Sequence, residues 1–273
     1  MRIHDGTTSE HQSLTSLIFP TYNPGTEALH ETLQKVDRFL QTAPGRWEVL
    51  FVSDGSTDDS PTQLQDWIDQ TGPMYRLVDL GKNFGKGYAV RTGLAEAVGR
   101  WRIFTDVDLS YGLDGVLKVA ESLWDGQPAV VGSRLLHDSS FIVPAWLQDY
   151  AYYRRLQSSV YSRLVRWLLP IRYSDTQAGL KGFSAEATDA LLPLLQCNGF
   201  SFDCEVLMAC HALDLSVTEV PICFEYFDDY STTNFKKSRK MVQELLAIRK
   251  RFRRLRREMH KPEVAPEPLR KSA

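Results

Sequence analysis

The feature of this sequence that most constrains its fold is a repeating unit. A short apolar run breaks on a polar turn, and a segment with helical spacing follows. Ser16-Leu-Ile-Phe19 stops at Pro20, and residues 26–40 then place Leu29, Leu33, Val36 and Leu40 on one helical face. Trp47-Glu-Val-Leu-Phe-Val52 ends on Ser53-Asp-Gly-Ser-Thr-Asp58. A helix is predicted over 61–70 with Pro61 in its first turn, where a missing N–H is tolerated. Further strands are predicted at 75–80, 101–105 and 129–131, with helices at 88–98 and 116–124 between them. Such alternation predicts βαβ units and a mainly parallel sheet. Ligands of these sheets bind outside the carboxyl ends of the strands. The turns 53–58, 81–87, 106–110 and 132–134 all fall at such ends and are expected to converge on one cleft.

The second half reads differently. Residues 144–169 form one long amphipathic helix or two, and the turn 174–179 precedes a strand-like 180–183. A helix is predicted over 202–213, then a strand over 217–224 broken by Pro221, then a basic helix to Arg257. We divide the chain into a polar tail 1–13, an α/β domain 14–233, a basic amphipathic helix 234–258 and a disordered tail 259–273.

Charge narrows the partners. The net charge is −2, yet residues 236–257 hold 11 Lys or Arg and one acid, Glu244, which leaves the rest of the chain at −12. A basic segment on an acidic body predicts an anionic partner for that segment alone. A nucleic-acid binder would account for the basic helix but not for acids gathered at strand ends, and no nucleic-acid partner is expected. The N-terminal residues lack the apolar core of a signal peptide. No apolar run approaches the ~18 residues of a membrane span. The four cysteines include no C-x-x-C pair and are read as reduced thiols of a cytosolic protein. Cys204, Cys210 and His211 match no usual zinc spacing and are read as helix core.

Chemistry concentrates in the turns. Asp106-Val-Asp108 offers two carboxylates on one turn, which suits Mg²⁺ or Mn²⁺ completed by substrate phosphates; a lone D-x-D is also common in surface turns. Asp54 can accept hydrogen bonds from a base or ribose, or belong with Thr57 and Asp58 to a helix-capping cluster. Gly81-Lys-Asn-Phe-Gly-Lys-Gly87 fails both the P-loop and the dinucleotide patterns. It can still bring backbone amides and Lys86 towards an anion.

Taken in order, these residues resemble the GT-A glycosyltransferases, specifically the large inverting family two of processive and polyprenyl-phosphate transferases. The matching segments are Pro20-Thr-Tyr-Asn23, Ser53-Asp-Gly-Ser-Thr-Asp58, Asn83-Phe-Gly-Lys-Gly87 and Asp106-Val-Asp108. Downstream, Val131-Gly-Ser-Arg134, Asp175-Thr-Gln-Ala-Gly-Leu-Lys-Gly-Phe183 and Phe202-Asp-Cys-Glu205 are similar to the dolichyl-phosphate glucosyl- and mannosyltransferase branch, the D-T-Q form leaning towards glucosyl members. The resemblance covers roughly residues 14–250. It departs at Ser53, where many members have Asp, and the C-terminal membrane helices of several relatives have no counterpart here.

The resemblance implies a Rossmann-like, mainly parallel sheet with peripheral amphipathic helices, and a metal-dependent transfer of a hexose. UDP-glucose is the favoured donor and GDP-mannose the second. Pro20, Tyr22, Asn23, Asp54, Lys86, Asp106, Val107 and Asp108 would bind the nucleotide sugar, Asp106 and Asp108 through Mg²⁺ or Mn²⁺. Gln177 would lie near the sugar or acceptor. Arg134, with Arg154 or Arg155, would hold the phosphate of a polyprenyl acceptor. Asp203 and Glu205 are the candidate bases if the acceptor is instead a soluble or glycan hydroxyl. A nucleotidyltransferase, releasing pyrophosphate, is the weaker alternative. A lipid acceptor places the protein peripherally on the cytoplasmic face of a membrane, through residues 236–257. There Met241, Leu245, Leu246, Ile248 and Phe252 give an apolar side between basic residues. The aromatic helix 144–169, with Trp146, Tyr150, Tyr153, Tyr161, Trp167 and Leu168, is a second interfacial candidate.

Overall fold

The computed structural model describes residues 14–226 and 235–259, without the side chains at 154–155, 235–239 and 257–259. The expected tails 1–13 and 260–273, and the junction 227–234, lie outside the described residues. The strands are β1 (Leu14–Thr21), β2 (Arg46–Ser53), β3 (Tyr75–Asp79), β4 (Trp101–Phe104), β5 (Ala129–Ser133), β6 (Ser140–Ile142), β7 (Lys181–Ser184), β8 (Val217–Pro221) and β9 (Cys223–Glu225). The helices are α1 (Thr26–Leu40), α2 (Ser60–Thr71), α3 (Lys86–Glu96), α4 (Leu113–Trp124), α5 (Gln148–Leu168), α6 (Ala185–Leu191), α7 (Phe202–Ala212) and α8 (Phe235–Met259).

Seven strands form one sheet in the order β3-β2-β1-β4-β7-β5-β8, with only β7 antiparallel to its neighbours. Successive residues of one strand point to opposite faces, and both faces are covered. Ile18, Leu50, Val52 and Phe104 enter the core shared with α3, α7 and α8. Leu17, Phe19, Val49, Phe51 and Ile103 enter the core under α1, α2 and α4. That two-sided burial explains why these strands read as continuous apolar runs. It contributes roughly 1.5–3 kcal/mol for each fully buried large side chain.

Pro20 does not end β1, which continues to Thr21 against Ser53. The partnering with β4 has already stopped at Ile18 opposite Phe104, so on that side the proline is at an edge. Pro221 closes β8, and the chain then leaves the main sheet for a two-stranded parallel ribbon of β9 with β6. The sequence reading missed that ribbon. The carboxyl ends of β1, β2, β4 and β5 share one edge of the sheet. Because β7 runs the other way, the segment 175–180 that leads into it returns to the same edge.

Candidate active site

Three turns at this edge hold one another. Asn23 adopts a left-handed φ of 47°, a conformation its short polar side chain tolerates. Its Oδ1 accepts from the Thr57 amide at 2.7 Å, and its own N–H donates to Ser56 Oγ at 3.0 Å. Asp58 accepts from the Gly25 amide at 3.1 Å. Asp54, only 3% exposed, turns both carboxylate oxygens to the next turn, accepting from the amides of Phe84 at 2.7 Å and Gly85 at 2.9 Å.

Two sequence expectations change here. Asp54, expected to meet a base or ribose, instead braces the 81–87 turn. Several amides of that turn, expected to face an anion, are engaged: those of Phe84 and Gly85 on Asp54, and Gly87 N–H, which donates to the Asn198 carbonyl at 2.9 Å. Gly85 and Gly87 serve close approach, since a Cβ on either would overlap the carbonyls of Asn198 and Cys197. What the turn offers the cleft is Lys86. Pro20 is half-buried at the end of β1, and the Tyr22 ring stands 52% exposed at the rim.

Lys86 Nζ lies 2.5 Å from Asp106 Oδ1. Burial works against its ammonium, but the negative charges of Asp106 and Asp203 outweigh that cost and raise its pKa. Asp106 itself rests against Gly179, where any Cβ would overlap the carboxylate. Val107 turns its carbonyl away to accept from Thr32 Oγ1 of α1 at 2.8 Å. Asp108 reaches the cleft mouth and accepts from the Ser110 amide at 2.9 Å. The protein crowding Asp108 raises its pKa, and the like charge of Asp106 adds to the shift. Two crowded hard-oxygen donors of one sign fit a divalent cation. The described residues contain no group of three or more His, Cys, Asp or Glu placed to hold a metal. A cation here would therefore depend on further oxygens from substrate or water.

On the other side of this pair lies a basic pocket. Arg134 Nε and Nη2 donate to Asp175 at 2.6 and 3.0 Å, and the guanidinium lies 5.3 Å above the Phe224 ring. Burial alone would push the Asp175 carboxyl up, yet the Arg134 guanidinium and the amides of Gln177 and Arg134 hold it below the ordinary carboxylate range. Gln177 is half-buried, its amide donating to Asp175 at 3.0 Å. A cavity of about 210 Å³ opens here, lined by Arg134, Arg163, Arg166, Ser159, Ser162 and Tyr226 among others. The sequence reading missed Arg163 and Arg166, although Ser159, Ser162, Arg163 and Arg166 follow the spacing of one helical face. The side chains of Arg154 and Arg155 lie outside the described residues. Tyr111, also missed, is buried between the two regions. Burial raises the pKa of its hydroxyl, on which the charges of Arg134, Asp106 and Lys86 all act.

The two acids of α7 part company. Asp203 Oδ1 accepts from Lys181 Nζ at 2.6 Å, and that fully buried lysine also donates to the Ala178 carbonyl. Glu205 is 0% exposed and accepts from the amides of Gln196 at 2.9 Å and Cys197 at 2.8 Å and from Arg251. Glu205 is therefore corrected from candidate base to buried anchor. It faces α8 because residues two apart on a helix point about 200° apart.

The peripheral helices also differ from expectation. Leu245, Ile248 and Phe252 of α8 are buried in the core, so the apolar side expected to meet a membrane is covered, and only Leu246 among the predicted set is exposed. The exposed apolar stripe is on and beside α5: Trp146 at 81%, Tyr152, Tyr153, Leu156, Val160 and Trp167 at 76%. Tyr161 and Leu168, expected in that stripe, pack inward. Among the described residues no helix is long and apolar enough to cross a membrane. Cys197, Cys204 and Cys210 are buried and Cys223 is exposed, all as free thiols.

The mainly parallel Rossmann-like sheet, with an acidic pair at the end of a central strand, has the GT-A fold. Residues 16–187 match Glycosyl transferase family 2, and the chain belongs to that family. It is a glycosyltransferase, which overturns the nucleotidyltransferase alternative. The Dolichyl-phosphate beta-glucosyltransferase of Saccharomyces cerevisiae is 27% identical over 263 residues, covering 88% of this chain and 77% of its own length. Mannosyltransferase PcManGT from Pyrobaculum calidifontis, solved with GDP-Man and Mn²⁺, matches with a TM-score of 0.55 at 18% identity, over 93% of this chain and 66% of its own. Glucosyl-3-phosphoglycerate synthase from Mycobacterium tuberculosis, solved with Mn²⁺, UDP and glucosyl-3-phosphoglycerate, matches with a TM-score of 0.56 at 16% identity, over 92% and 82%. At such identities the two structures speak for the fold alone.

Proposed function

We propose that this enzyme transfers a hexose, with inversion, from a nucleoside-diphosphate sugar to a polyprenyl phosphate at a membrane surface. The observation that carries the reading is the arginine-lined cavity of Arg134, Arg163 and Arg166 beside the exposed apolar stripe of α5. Guanidinium groups match the geometry of a phosphate, and the stripe would take the chain attached to it. UDP-glucose is the favoured donor and GDP-mannose the second. The name of the yeast relative supports both the glucosyl preference and the lipid acceptor.

The acceptor chemistry follows from the charges. A phosphate monoester has a second pKa near 6, so about neutral pH its oxygen is already ionised. It needs orientation by the arginines rather than a base. That agrees with Asp203 being engaged by Lys181 and Glu205 being sealed from the cleft. A hydroxyl acceptor would instead need Asp203 as base. Asp106 and Asp108 would hold Mg²⁺ or Mn²⁺, which supplies charge neutralisation at the leaving diphosphate. Lys86 adds a fixed positive charge at the same end, and Gly179 lets the 175–180 segment close over Asp106. The catalytic domain in this reading is 14–233, with α8 folded against it. The outward basic face of α8 would lie on an anionic cytoplasmic leaflet, each Lys or Arg there adding roughly 1 kcal/mol.

The test is a labelled-sugar transfer assay with purified enzyme, Mg²⁺ or Mn²⁺, and UDP-glucose or GDP-mannose. Polyprenyl phosphate is compared with the matching polyprenol. Label is expected in the organic phase with the phosphate and not with the alcohol. Transfer to the alcohol, or to a soluble glycan alone, would refute the proposal.

A further inference from the structure

Resting on the reading of Asp106 and Lys86 as the diphosphate end of the cleft, we propose that Arg251 and Glu205 are positioning residues for donor binding. They act through the 195–201 loop, which they hold against residues 85–87 so that Lys86 stands on Asp106.

The loop is gripped from both sides. From α8, Arg251 donates to the buried Glu205 carboxylate and to Gln196 Oε1 at 3.3 Å, while Glu205 accepts from the Gln196 and Cys197 amides. Glu244, also on α8, accepts from the Ser201 amide at 3.3 Å and presses on Gly199, where a Cβ would overlap its carboxylate. From α3, Arg91 donates to the Leu195 carbonyl at 2.6 Å and to Asn198 Oδ1 at 2.5 Å. The loop in turn receives the Gly87 N–H on the Asn198 carbonyl, and its carbonyls fill the space where Gly85 and Gly87 have no Cβ. Lys86 sits between those two glycines. A displaced loop therefore displaces the backbone that carries Lys86.

An ion pair with a fully buried carboxylate and a half-buried guanidinium is a poor choice for stability alone, because desolvation offsets much of the attraction. Its position is better explained by what it holds. Glu205 fixes consecutive amides of the one segment that packs against both glycines flanking Lys86.

The test is a double-mutant cycle read as donor KM against kcat. Arg251→Gln should raise donor KM about tenfold with kcat within about twofold, the pattern of lost ground-state positioning. In a Lys86→Met background the same change should add less than about twofold, because the affected group is already gone. Asp66→Asn, on the exposed face of α2, should change neither parameter. If circular dichroism shows Arg251→Gln unfolded, Arg251→Lys and Arg91→Gln enter the same cycle. A full tenfold effect in the Lys86→Met background, or no effect of Arg251 variants while Lys86→Met raises donor KM, would overturn the strut alone. An unchanged donor KM in Lys86→Met would overturn the donor reading and the strut with it.

Discussion

The two ends of the sheet edge use charge in opposite ways. Around β1, β2 and β3, the polar groups of the motifs satisfy one another: Asn23 holds Thr57, Asp58 holds Gly25, and Asp54 holds Phe84 and Gly85. Around β5 and α5, three arginines share one cavity with a single carboxylate among the described residues, Asp175. The first end is a frame whose carboxylates fix backbone. The second end carries an excess of positive charge over an open pocket. A residue type in a motif therefore does not by itself reveal whether it touches ligand or the neighbouring turn.

The contrast can be broken most forcefully where the two ends meet. Asp108→Asn should lower kcat/KM by about 10³-fold or more, near 4 kcal/mol, with melting temperature unchanged or slightly raised, since it removes a crowded charge. Steady-state kinetics beside a thermal melt checks this. Asp54→Ala should act differently. Losing two amide partners of a buried carboxylate should cost stability by about 3 kcal/mol in urea unfolding. Should Asp54→Ala abolish donor binding at full stability, the frame interpretation of this end is wrong.

Arg166→Ala should raise acceptor KM by about tenfold and leave donor KM unchanged, measured with saturating donor. The smallest effect is on acid stability. The carboxyl of Asp175 is held below its unfolded value of about 3.9. Its stabilisation is therefore complete above about pH 4 and is lost as pH falls through the depressed folded value. Urea unfolding between pH 5 and 3 should show a shallower loss in Asp175→Asn than in the wild-type chain.

The frame was legible in the sequence because its signals are local. Apolar runs ending in Asn23, Asp54 and Asp106 mark strand ends, and period-3.6 spacing marks α1 and α4. The pocket was less legible because its parts come from distant segments. Arg134, Asp175 and Arg166 line one cavity only once β7 is inserted antiparallel between β4 and β5. The ribbon of β6 and β9 is three residues long in each strand, too short for a pattern to declare itself. Glu205 was misread for a simpler reason. Phe202-Asp-Cys-Glu205 looks like a pair of site acids, yet on a helix the two face opposite sides, one towards Lys181 and the other towards Arg251. The glycines of 81–87 suggested a phosphate cradle, whereas what Gly85 and Gly87 admit is the 197–198 backbone.

The central claim is that the arginine cavity reads a phosphate while the α5 stripe reads the chain attached to it. The most direct measurement is acceptor KM for a long and a short prenyl phosphate, in wild type, in Arg163→Ala/Arg166→Ala, and in Leu156→Ser/Val160→Ser. The account predicts that the arginine variant weakens both acceptors by a similar factor, about tenfold or more, whereas the stripe variant weakens the long one selectively. Equal kinetics for both acceptors in all three proteins, or a loss confined to donor KM, would contradict it.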